Sequence, residues 1–142
     1  MSETRIPKRL RDQVRDRANG YCEYCRCPDI AGTAPYAVEH VIPESKGGAT
    51  VPENLAWACP YCNGSKYTRV DGWDPATSKW ARLFNPRKQR WSSHFVWSDD
   101  MTRVLGTTST GRATVETLQL NRPPIMVFRG MLVNAGYLPP PE

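Results

Sequence analysis

Two cysteine pairs, Cys22-x-x-Cys25 and Cys59-x-x-Cys62, stand 33 residues apart in a chain of 142, and they constrain the fold more than any other feature. A CxxC turn brings two sulfurs close enough to share one ion, and two such turns supply the four thiolates of a tetrahedral zinc site. The stretch between the pairs, residues 26–58, is longer than the loop of a short zinc ribbon, so it must carry structure of its own. The rival reading of a CxxC is redox chemistry, which goes with a βαβ pattern that this sequence does not show. Cys22, Cys25, Cys59 and Cys62 are therefore the expected ligands of a structural Zn²⁺. Cys27 reads as a spare thiol, with ligand duty left open by the spacing Cys25-x-Cys27.

Elements can be placed around the pairs. Ile6, Leu10, Val14 and Ala18 recur every four residues and predict a helix from Pro7 to Asn19, stopped by Gly20. "YAVEHVI" (36–42) is a strand ended by Pro43, and "LAWA" (55–58) the returning strand across a polar loop with a Gly-Gly pair. "CPYCNGSKYTR" opens a helix with Pro60 in its first turn. Residues 71–90 read as irregular, broken by Gly72, Pro75 and Pro86. "HFVWS" and "TRVLGTTS" alternate like two strands around Asp99-Asp100. Thr110 is the expected cap of a helix through "GRATVETLQL", and Pro123-Pro124 starts a last helix closed by Gly136.

The net charge of +5 says less than its distribution. Arg5, Lys8, Arg9, Arg11, Arg15 and Arg17 crowd the first helix, while Lys79, Arg82, Arg87, Lys88 and Arg90 fill a stretch with no acid. Two basic clusters suit a polyanionic partner. For the first helix, a solvated face on a packed element explains the charge equally well. For the second, the competing reading makes Trp80 and Trp91 core residues and the cations merely solvated. No apolar run approaches the length of a membrane span, and "MSETRIPKRL" has no hydrophobic signal region. A reducing, cytoplasmic location is the expectation, in which cysteines seldom form lasting disulfides.

The segment "EHVIPESKGG…ENLAWACPYCNGSK" resembles the HNH endonucleases, a family built on a β-hairpin, a helix and a metal ion. His40 matches the family's first histidine and Asn54 its central asparagine. Asn63 falls where the last histidine often stands, as in the His-Asn-Asn variants. Thirteen residues separate His40 from Asn54 and eight separate Asn54 from Asn63, similar to the family spacing. The flanking CxxC pairs resemble those of the zinc-stabilised members. A softer likeness links "LFNPRKQRWSSHFVW…GRATVETLQLNR" to an extension found on some bacterial members.

Phosphodiester hydrolysis needs a base for water, a cation for the growing charge and stabilisation of the departing 3′ oxygen. His40 is the candidate base, since an imidazole can take a proton near neutral pH. Glu39 and Asn63 offer oxygen ligands suited to Mg²⁺ or Mn²⁺. Each also has a plain reading: a regular strand would turn Glu39 away from His40, and Asn63 can simply close the cysteine turn. Asn54 is expected to hydrogen-bond across the loop and aim His40. Lys46, Lys66, Arg87, Lys88 and Arg90 are the candidate nucleic-acid contacts, and His94 is expected to be structural. For Lys66, a surface lysine with no role is an equal alternative.

The fold class expected is α+β: a small zinc-braced ββα-metal core with an N-terminal helix, spanning residues 1–75. A basic extension of a β-hairpin and helices, residues 76–142, packs on it. The function implied by the resemblance is metal-dependent cleavage of DNA leaving 5′-phosphate ends. The alternative is a catalytically inactive zinc-dependent nucleic-acid-binding module.

Overall fold

The computed structural model describes residues 5–141 as an α+β chain of four α-helices and three separate antiparallel hairpins. Helix α1 (Lys8–Arg17) buries Val14 and rests Leu10 and Ala18 against the core, so the four-residue stripe is the inward face. Gly20, at φ +74°, turns the chain out of it. Strands β1 (Ala37–His40) and β2 (Leu55–Ala58) pair in the register Ala37↔Ala58 to His40↔Leu55. Helix α2 (Pro60–Lys66) follows at once, its N-terminus capped by the Cys59 sulfur, which accepts from the Cys62 amide at 3.3 Å. These three elements make a ββα unit.

The stretch expected to be irregular contains a second hairpin, β3 (Asp71–Asp74) and β4 (Lys79–Arg82). Its inward face carries Gly72 and Asp74, both buried, which hides any apolar alternation from the sequence. Asp74 is held by two bonds of 3.0 Å from Arg112. The boundary expected between residues 75 and 76 thus falls in the turn of this hairpin. Strands β5 (Phe95–Trp97) and β6 (Val104–Gly106) form the third hairpin, turning at Asp99-Asp100 as expected. Helix α3 (Ser109–Leu118) is capped by Thr108, not Thr110: the Thr108 hydroxyl accepts from Gly111 N at 3.0 Å. A Cβ at Gly111 would collide with the His94 carbonyl, so glycine lets α3 press onto the residue before β5 and onto Gly106 of β6. Helix α4 (Pro123–Asn134) ends the fold, with Gly136 in the left-handed conformation beyond it.

The C-terminal elements attach to the cysteine turn itself. Arg129 of α4 is fully buried and donates to Cys25 O at 3.2 Å and Thr102 O at 3.0 Å. Trp91 Nε1 donates to Tyr24 O, and Tyr21 OH donates to Tyr137 O. Trp91 stacks among Phe95 and Trp97, whereas Trp80 is 70% exposed, so the two tryptophans of the basic stretch part company. Among the described residues, no helix is long and apolar enough to cross a membrane.

Candidate active site and metal centre

The cysteine turn closes through Cys22 N donating to Cys27 O at 2.9 Å and Arg26 N donating to Cys22 O at 3.0 Å, with Arg26 at φ +68°. The β2–α2 junction brings the second pair against it. The sulfurs of Cys22, Cys25, Cys59 and Cys62 all lie within 4.8 Å of one another, all four residues are buried, and none forms a disulfide. Cys25 and Cys59 sulfurs are 3.8 Å apart. A tetrahedron with zinc–sulfur arms of about 2.3 Å has edges of about 3.8 Å, so the donor set fits Zn²⁺. Crowding by Cys22, Cys25 and Cys59, together with burial, pushes the Cys62 thiol well above its ordinary range. Thiolates packed this closely repel one another, and a cation between them relieves that repulsion. Cys27 is buried nearby but stands outside this group.

The loop between β1 and β2 is held by one side chain. Asn54 Oδ1 accepts from Ile42 N at 2.9 Å, and its Nδ2 donates at 2.9 Å to both Ile42 O and Ala49 O. Its main-chain oxygen accepts from Val41 N, also at 2.9 Å. Gly48 passes so close to Ile42 O that a Cβ there would collide with it. His40, at the end of β1, keeps a partly exposed ring, with Nε2 2.8 Å from Thr50 Oγ1 and 3.7 Å from Glu44 Oε1. Thr50 and Glu44 were not singled out from the sequence, where nothing in their spacing marks them.

Glu39 points the other way, as alternation along a regular strand requires. It is 4% exposed; Oε2 accepts from Lys66 Nζ at 2.6 Å and Oε1 from Tyr24 OH. Burial pushes its carboxyl above the ordinary range, against the opposing pull of Lys66 and Tyr24. This corrects two expectations. Glu39 offers no open oxygen to a divalent cation, because an ammonium and a phenol occupy both. Lys66, 1% exposed and also donating to Val41 O at 2.8 Å, is a core cation held by Glu39 and not a surface phosphate contact. Asn63 sits half-buried on α2, with its main chain bonded to Cys59 and Tyr67.

The family model for HNH endonuclease matches residues 22–69, the segment from the first cysteine to just beyond α2. The match identifies this segment as HNH-like. Comparison with curated proteins and with solved structures returned no match.

Around the HNH-like segment the cations divide sharply. Arg87 pairs with buried Glu23, whose other oxygen accepts from Trp57 N at 2.8 Å, so Arg87 is a structural residue and not a phosphate contact as expected. Three arginines of the first helix are also engaged within the fold. Arg15 grips Asp29 at 2.7 and 3.0 Å, Arg17 donates to Pro52 O and Leu55 O, and Arg11 lies 4.8 Å over the Trp57 ring. Lys46 is exposed while donating to Thr68 O at 2.7 Å. Lys88 and Arg90 are exposed. A cleft of about 370 Å³ runs beside the end of β1, lined by Val41, Ile42, Lys66, Arg82, Leu83 and Lys88. Arg82 and Lys88 thus join the HNH-like segment on the side where β1 ends.

His94, expected to be structural, holds Nδ1 2.7 Å from the Thr108 hydroxyl that caps α3.

Proposed function

We propose that the protein is an endonuclease that hydrolyses DNA phosphodiester bonds with His40 as general base. The observation that carries this reading is the His40 ring: partly open to solvent, beside a loop clamped by Asn54, with Nε2 at hydrogen-bond distance from a hydroxyl oxygen. A water in the position of that hydroxyl would give its proton to Nε2 as its oxygen attacks phosphorus. The bond from phosphorus to the 3′ oxygen breaks, that oxygen takes a proton from solvent, and the phosphate stays on the 5′ oxygen of the downstream fragment. Asn54 acts by fixing the backbone at Ile42, two residues beyond the base. The four cysteines hold Zn²⁺ as a structural ion, which braces β2 and α2 against the cysteine turn.

Residues 1–75 and 76–142 are proposed to fold together, with the extension supplying the exposed cations Lys88 and Arg90. A Mg²⁺ or Mn²⁺ ion, when bound, would supply Lewis-acid stabilisation of the transition state. The expected pair of ligands does not fit it here: with Glu39 sealed by Lys66, Asn63 is the one expected donor left half-open. That same sealed carboxylate favours the second reading, a zinc-dependent nucleic-acid-binding module without catalysis.

Plasmid cleavage in Mg²⁺, Mn²⁺, Zn²⁺ and EDTA separates the two. The endonuclease reading expects nicked or linear product whose 5′ ends resist kinase labelling until treated with phosphatase. Intact plasmid under every metal condition, with binding retained, would establish the module instead.

A further inference from the structure

The β3–β4 hairpin carries a feature that the hydrolysis site does not use. Trp73 and Trp80 are directly paired across its strands, with ring centroids 5.6 Å apart and planes at 75°. They are 43% and 70% exposed. The opposite face is fixed: Gly72 lies so close to Thr117 that a Cβ would collide, and Asp74 is clamped by Arg112. The hairpin is therefore a rigid mount with two indoles turned outward. An edge-to-face pair gains from its quadrupoles, but that gain does not require leaving an indole mostly in water.

Charge indicates what would cover it. Alternation puts Arg82 on the indole face with Asp71, its loose partner at 3.6 Å. Arg82 also lines the cleft with Lys88, and that cleft reaches Val41 and Ile42, the residues after His40. Exposed rings next to cations suit a strand that offers both phosphates and accessible base faces. Paired bases inside a duplex keep their faces stacked on one another.

We infer that the Trp73–Trp80 face is a stacking platform for unpaired bases, and that it leads a single strand over Arg82 and Lys88 toward the end of β1. This rests on the nucleic-acid reading above and adds a substrate class to it: single-stranded or branched nucleic acid in preference to plain duplex.

The test measures binding of full-length protein to a fluorescein-labelled 15-nucleotide oligo-dT and to a blunt duplex of equal length, at one salt concentration. The wild type should bind the single strand more tightly. A stacked base contributes about 1–3 kcal/mol, so Trp80→Ala should weaken oligo-dT binding on the order of tenfold, whereas Trp80→Phe should retain most of it. Duplex affinity and zinc content should not move. Tighter wild-type binding to duplex overturns the platform while leaving the nucleic-acid reading intact, and so does equal oligo-dT affinity in Trp80→Ala. Failure to bind either probe overturns both. Because the probe comparison needs only the wild type, misfolding of a variant cannot rescue the claim.

Discussion

Lys66 Nζ sits 2.6 Å from Glu39 Oε2, with both side chains only 2% exposed, so the helix that carries the second cysteine pair is tied to the strand that carries His40. The pair joins the cysteine cluster to the proposed hydrolysis site through one buried contact. Removing one partner strands a charge in the interior, which typically costs about 3–5 kcal/mol, while removing both together is far milder. Lys66→Met should therefore destabilise the protein by about that amount in urea unfolding, and Glu39→Gln/Lys66→Met should recover part of the loss. Equal stability of Lys66→Met and wild type would contradict the pairing.

The zinc site predicts a split among the five cysteines. Cys22→Ser or Cys62→Ser should lose the bound ion and thermal stability together, because binding and folding are linked in so small a core. Cys27→Ser should keep one zinc per chain, since its sulfur is outside the tetrahedral group. Metal analysis of purified variants decides it, and loss of zinc from Cys27→Ser would redraw the ligand set.

Acid sensitivity should trace to the hidden hairpin. Arg112, with help from Thr77 and the Ala76 amide, holds the Asp74 carboxyl well below its ordinary value of 3.8. A depressed carboxyl stabilises the fold fully above 3.8, and that contribution fades as pH falls from there through its folded value. Asp74→Asn should thus be less stable than wild type at neutral pH, with the gap narrowing below pH 3.8 in thermal melts. A gap constant from pH 7 to pH 2.5 would exclude the linkage.

The basic stretch should behave as two classes. Arg82→Ala, Lys88→Ala and Arg90→Ala should each leave stability intact, and each lost phosphate contact should lower the log–log salt slope on duplex DNA by about 0.9. Arg87→Ala should instead unfold at lower urea, because it leaves Glu23 buried and unpaired. Salt titrations beside urea melts distinguish the classes. An Arg87 variant that loses affinity without losing stability would reverse the assignment.

Much of the fold was legible because its determinants are local. The CxxC pairs, the alternation in "YAVEHVI" and "LAWA", and the proline starts of α2 and α4 each act within a few residues. The features not legible locally depend on distant partners. The β3–β4 hairpin buries Asp74, a residue that reads as a breaker until Arg112 arrives 38 positions later. Lys66 and Arg87 read as surface cations because their carboxylates, Glu39 and Glu23, lie 27 and 64 positions away. The inward turn of Glu39 was available from strand alternation alone, and the family likeness pulled the expectation the other way.

The central claim is that His40 takes the proton from the attacking water, and the rate of plasmid cleavage by His40→Ala tests it most directly. The variant lacks no zinc ligand and no core contact of the Glu39–Lys66 pair, so it should fold, keep its zinc and bind DNA as wild type does. Its cleavage rate should fall by about 10²–10⁴-fold, the usual loss when general-base assistance is removed. Cleavage by His40→Ala at the wild-type rate would contradict the account.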